Sequence, residues 1–85
     1  MSKCMLIRMD FRNIDLGKVE FTTLESQSFE IGTKEDVNSF IPFFTDTPEE
    51  TESAEIKFEK EGKIELTKRT EGSSYFEVFT ALKID

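Results

Sequence analysis

Alternating apolar and polar positions predict a strand near the start of the chain. Residues 4–11 divide into two sides, one with Met5, Ile7, Met9 and Phe11 and the other with Cys4, Leu6, Arg8 and Asp10. A period of two is that of a β-strand, and we expect the Met5–Phe11 side to face the core. Asp15 and Gly17 predict a turn over residues 13–17.

The same alternation predicts two further strands before residue 32. In residues 18–24, Val19 and Phe21 would face inward, and in residues 28–31 Phe29 and Ile31 would do so. The polar residues 25–27 between them predict a turn.

A helix is predicted over residues 34–41. Thr33 can cap its start, and Asp36 lies three residues later, where a capping acid reaches back. The apolar stripe has helical spacing and consists of Val37, Phe40, Ile41 and Phe44. Because proline lacks the N–H that an α-helix needs, Pro42 should end the helix near Ile41.

A second helix start is indicated at residues 46–50, with Thr47 as cap and Pro48 as the first helical residue. Alternation returns at Ala54, Ile56 and Phe58, so we expect at most one helical turn and then a strand over residues 54–59. A three-residue loop at 60–62 would pair Phe58 with Ile64 in a hairpin.

The last strand is predicted over residues 75–84, after a loop at 70–74. Both of its sides carry apolar residues, among them Phe76 and Phe79, which indicates an interior strand covered on both sides. The expected fold is therefore α+β, mainly β. About six strands form an antiparallel sheet or open barrel with one short helix (about 34–41), in the order βββαβββ. Residues 1–85 are expected to form a single domain.

The residue inventory argues against an enzyme. The chain has no histidine and one cysteine, Cys4, which excludes a serine–histidine triad and a structural zinc site. The acids at 46–52 lack the spacing and the glycine of a calcium-binding loop. We expect no cofactor and no metal, and an inert thiol at Cys4.

Negative charge is concentrated in one segment. The net charge is −7, and residues 35–56 hold seven acids and no base. Such a charge disfavours nucleic acid and anionic membranes as direct partners and favours a protein with a basic surface. The apolar runs are too short to cross a bilayer and no signal peptide is evident, so we expect a cytoplasmic protein.

Phe43 lies off the helical stripe and just before the acidic residues that begin at Asp46, an arrangement typical of an aromatic anchor within a charged rim. The predicted partner-binding residues are Phe43, Asp46, Glu49, Glu50, Glu52 and Glu55. The function we expect is a small protein-binding module, an inhibitor or antagonist that docks on a basic, nucleic-acid-binding site of its partner. Phage counter-defence proteins and immunity proteins share this size and charge. The alternatives are an assembly subunit forming a homo-oligomer, a small enzyme or ligand-binding domain, and an acidic segment that serves solubility alone.

Overall fold

The computed structural model describes residues 3–85 and contains one open antiparallel sheet with two helices on one side. The strands are β1 (Lys3–Asp15), β2 (Glu20–Thr33), β3 (Lys63–Arg69) and β4 (Tyr75–Lys83), and the helices are α1 (Lys34–Phe40) and α2 (Pro48–Glu61). The spatial order is β2-β1-β4-β3, with every neighbouring pair antiparallel. The mainly β, antiparallel character is confirmed, whereas the six strands and single helix are wrong.

The first strand is present, but its buried side is the opposite of the one predicted. Cys4 and Leu6 are buried beneath the helices, whereas Met5 and Ile7 point to the other side of the sheet. Alternation established the strand. It could not decide between two sides that both carry apolar residues.

β2 is one continuous strand, so the predicted turn at residues 25–27 is wrong. β2 has a β-bulge opposite the step from Asp10 to Phe11 of β1. Ser26 pairs with Asp10 and Leu24 pairs with Phe11. Glu25 is the extra residue, and it lies within 3.8 Å of the Arg12 guanidinium. Without glycine or proline at 25–27, the polar residues bulge the strand instead of ending it.

α1 forms as predicted. The Thr33 hydroxyl accepts a hydrogen bond from the Asp36 N–H at 3.2 Å, and the Asp36 carboxylate accepts one from the Thr33 N–H at 2.7 Å. This capping box satisfies two N–H groups at the helix start. A single 3₁₀ turn, Ile41–Phe43, contains Pro42 and follows directly.

The strand predicted at residues 54–59 is wrong, because α2 continues through it to Glu61. Ala54 and Phe58, four residues apart, are buried on one side of the helix, and Ile56 is exposed. Gly62 ends the helix with a φ of 71° and donates its N–H to the Phe58 carbonyl at 2.8 Å. Glycine adopts this left-handed conformation without strain, so Gly62 caps a helix rather than closing a hairpin.

β3 and β4 form the hairpin at the end of the chain, and β4 is an interior strand between β1 and β3, as predicted. The predicted cover on both of its sides is wrong, because the helices pack on one side only. Phe79 and Ala81 of β4 are fully buried beneath the helices. They belong to a core in which Phe44 stacks on Phe79, with ring centroids 5.3 Å apart. The other buried members are Cys4, Leu6, Val37, Ile41, Ala54, Phe58 and Ile64.

The side of the sheet that faces away from both helices is called the bare face here. Its apolar residues are Met5, Ile7, Met9 and Phe11 of β1, Leu24, Phe29 and Ile31 of β2, and Phe76, Val78 and Leu82 of β4. Phe29 is 62% and Ile31 60% exposed. The radius of gyration is 14.4 Å, compared with about 12 Å expected for a compact chain of this length, because the β1–β2 hairpin extends beyond the helices.

Candidate functional site

Phe43 is held outside the core by the 3₁₀ turn that follows α1. Ile41 and Phe44, on either side of it, are buried, whereas Phe43 itself is 65% exposed. Pro42 at the start of the turn prevents the chain from continuing as α1. The local sequence thus anchors the turn through two apolar side chains and leaves the third in solvent.

The surroundings of Phe43 are basic rather than acidic. A cleft of about 400 Å³ lies beside it and is lined by Arg8, Phe40, Phe43, Phe44, Lys68 and Glu77. The Arg8 guanidinium carbon lies 5.4 Å from the centroid of the Phe40 ring, a cation–π contact. Two cations and one carboxylate therefore border the aromatic side chains of this cleft.

The acidic segment (residues 46–55) lies on the first turns of α2, except for Asp46, which comes just before the helix cap Thr47. The Thr47 hydroxyl accepts the Glu50 N–H at 3.1 Å, and the Glu50 carboxylate accepts the Asp46 N–H at 3.0 Å. Glu49 and Glu50 also lie at the positive end of the helix dipole. Capping and the dipole therefore give Glu50 and Glu49 a structural role.

The six predicted site residues do not form one continuous patch. Glu49 and Glu50 line an open groove of about 470 Å³ between α2 and β3, together with Phe44 and Leu66. Phe44 also lines the cleft of Phe43, so the two features are neighbours that share one buried ring. Glu52 and Glu55 line neither.

The carboxylates of the acidic segment lack cationic partners within the described chain. In residues 3–85 the ion pairs are Arg12–Glu25 and Lys34–Glu59, and neither includes a residue of the segment. The Lys34 ammonium, hydrogen-bonded to Glu59, lowers the pKa of that carboxyl, and the same contact raises the pKa of Lys34. Asp46, Glu49, Glu50 and Glu52 are exposed and Glu55 is half-buried.

Cys4 lies on the covered side of the sheet. Burial is the main cause that raises the pKa of its thiol, and the nearby Asp85 carboxylate adds to the effect. A buried thiol with a raised pKa is a poor nucleophile. Across residues 3–85, no three acidic or thiol side chains converge in a way that could hold a metal ion.

The prominent surface that sequence reasoning missed is the bare face. The signal was present, because β1 carries an apolar residue at each odd position from Met5 to Phe11 and Phe29 and Ile31 repeat this spacing in β2. That signal was assigned to the core. Within the described residues, no helix is both long and apolar enough to cross a membrane.

Comparison with protein-family models, with curated proteins and with solved structures finds no match to this chain.

Proposed function

We propose that this protein is a small, non-catalytic binding module that docks on a basic protein surface through the acidic segment of α2. The observation that carries the proposal is that Glu49, Glu50 and Glu52 are exposed on the first turns of α2 and have no cationic partner within residues 3–85. A helix fixes the spacing of its side chains, so the partner meets a preformed row of negative charges rather than a flexible loop.

Helix stability alone does not account for this row. The dipole favours acids only within the first turn, which includes Glu49 and Glu50. Glu52 and Glu55 lie beyond it and are three residues apart, a spacing at which like charges repel. Carrying both costs the helix a little stability, and a basic partner surface would offset that cost on binding.

Phe43 contributes to the proposal as a neighbouring apolar anchor. Its exposed ring borders a cleft that shares Phe44 with the groove of Glu49 and Glu50. A partner that covers the start of α2 can reach this ring, and aromatic side chains of this kind supply much of the affinity in interfaces. Arg8 and Lys68 in the same cleft would select an acidic or neutral group at that point of an otherwise basic partner.

The test compares two variants with the same net charge. The triple variant Glu49→Gln, Glu52→Gln, Glu55→Gln removes carboxylates from α2 and leaves the capping residue Glu50 in place. The control, Glu20→Gln, Glu30→Gln, Glu71→Gln, removes three exposed carboxylates elsewhere, and both variants carry −4 instead of −7. Each is used as bait in a lysate of the source cells, at low and moderate salt.

We expect wild type and control to retain the same basic protein and the α2 variant to lose it, with binding that weakens as salt rises. The affinity of the purified partner for each variant would then be measured by titration calorimetry. Equal capture by both triple variants would refute α2 as the docking surface and leave the acidic segment a solubility feature.

A further inference from the structure

The bare face is uncharged over three neighbouring strands. From Met5 to Phe11 on β1, from Leu24 to Ile31 on β2 and from Phe76 to Leu82 on β4, every side chain that points to this side is neutral. Charged side chains on this side begin at the β3 margin, with Lys63, Glu65 and Arg69. An apolar centre with a charged margin is the anatomy of a protein interface.

Aromatic side chains are already ordered on this face. The rings of Phe11 and Phe76 stack with centroids 5.1 Å apart, and the Arg69 guanidinium carbon lies 4.7 Å from the centroid of the Phe76 ring. Phe29 pairs with Ile7 and is exposed on the edge strand β2. Binding would therefore cost little side-chain ordering at the stacked pair and would bury one large free ring at the edge.

The charge distribution indicates which occupant fits. A basic partner would find no carboxylate on the neutral stretch of β1, β2 and β4, whereas a neutral apolar surface is complementary to a second copy of itself. The acidic segment lies on the helix side, so two copies joined by their bare faces would hold their acidic helices outermost. Packed sheets alone are ~10 Å apart, which exceeds the ~8 Å screening length at physiological salt, so repulsion between the two outermost acidic segments is largely screened.

The dimensions of the face also suit a dimer. With the charged β3 margin included, strand spacing and rise give a projected area of roughly 500 Å² for each copy and therefore about 1,000 Å² for two, the size at which specific interfaces begin. The side chains are uneven, so the area removed from water would exceed the projection. Two sheets that pack face to face align their strands within about 30° and interdigitate their side chains.

We infer that the bare face binds a second copy of this chain, giving a two-fold symmetric dimer in which two sheets pack face to face. The contact is isologous, so each substitution on the face acts twice in the dimer. The inference concerns a different surface from the docking site proposed on α2, and the two can be occupied together.

The test is sedimentation velocity over a concentration series, with two phenylalanine variants that are matched in exposure. Phe29→Lys places a charge on the bare face, whereas Phe43→Lys places one on the helix side at a position of similar exposure, 62% against 65%. Ile31→Lys is a second bare-face variant. Circular dichroism and urea unfolding of each variant at low concentration report whether the monomer folds.

We expect wild type and Phe43→Lys to form dimers, and both bare-face variants to raise the dimer dissociation constant by roughly 100-fold or more. A monomeric wild type whose bare face binds the dye anilinonaphthalene sulfonate in a Phe29-dependent manner would overturn the second copy as occupant. A dimer broken by Phe43→Lys and unaffected by Phe29→Lys would overturn the bare face as the interface. Neither result bears on capture of a basic partner, which the carboxylate variants of α2 test separately.

Discussion

Both sides of the sheet carry large apolar side chains, but the helices cover only one of them. On the helix side, Leu6 and Phe79 are buried in a core with α1 and α2, whereas on the bare face Phe29 and Ile31 are more than half exposed. The two sides alternate along the same strands, so their backbone environment is the same. What differs is the size of the side chains at the points where a helix would have to approach.

The helix side has small residues at these points. Cys4 and Ala81 are fully buried there, and Gly32 lies opposite Cys4. A Cβ on Gly32 would lie 2.7 Å from the Asp36 carboxylate and 3.1 Å from the Leu6 side chain, so the glycine permits α1 to begin directly above β2. The corresponding positions on the bare face carry methionine, isoleucine and phenylalanine. Small side chains therefore mark the covered side, which is not the more apolar side of the sheet.

The largest difference between the two sides should come from truncating one phenylalanine on each. Phe58→Ala empties a fully buried position beneath α2 and should lower the free energy of unfolding by about 3–5 kcal/mol. Phe29→Ala, on the bare face, should lower it by less than about 1 kcal/mol when the chain is monomeric. Urea unfolding at low concentration measures both. If Phe58→Ala leaves too little folded protein, Phe58→Leu should show a smaller loss in the same direction. Equal losses for Phe58→Ala and Phe29→Ala would contradict the assignment of the covered side.

A smaller effect is expected from Gly32→Ala. The added methyl group must displace the Asp36 carboxylate from the Thr33 N–H, so the capping box of α1 is lost at a cost of about 1–2 kcal/mol. Gly72→Ala is the control at an open turn where no atom lies within 4 Å of the new Cβ, although its φ of 80° adds backbone strain of about 1 kcal/mol. The double variant of Gly32→Ala and Asp36→Ala separates loss of the cap from crowding against Leu6. If loss of the cap is the cause, Gly32→Ala should cost less stability when Asp36 is already alanine. Additive losses would show that the cap is not involved.

The smallest effect concerns the ion pair between Lys34 of α1 and Glu59 of α2. The pKa of Glu59 is lowered from its ordinary value of 4.5, so its stabilisation is present above that pH and is lost as the pH falls through the lowered pKa. The pKa of Lys34 is raised from 10.5, so its stabilisation is lost only as the pH rises through the raised value. We expect Lys34→Gln to lower the urea midpoint slightly at neutral pH and not at all in strong acid. Lys18→Gln, at the tip of the β1–β2 hairpin, should show no such pH dependence.

Local signals in the sequence predicted those elements whose ends are chemically marked. Thr33 and Asp36 gave the start of α1, and Pro42 gave its end. The last strand, β4, followed from alternation after the loop at 70–74. Each of these depends on residues that are close along the chain, so neighbouring residues carry enough information to specify them.

The errors arose where two periods fit the same residues. Ala54 and Phe58 are four residues apart, which equals two repeats of strand alternation and about one turn of an α-helix. The short segment therefore fitted both periods. The start signal at Thr47 and the glycine at Gly62 bracket a helix of fourteen residues and could have decided the matter. The covered side of β1 could not be found in this way, because it depends on where α2 packs.

The strand order determines when each neighbour of β1 becomes available during synthesis. β1 is made first and lies between β2, which follows at once, and β4, which is made last. Because synthesis proceeds at roughly 5–20 residues per second, β1 and β2 are without β4 for several seconds, until Phe79 and Ala81 emerge from the ribosome. An isolated hairpin is only marginally stable in water, so the nascent chain passes through a stage in which both apolar sides of β1 are open to chaperones.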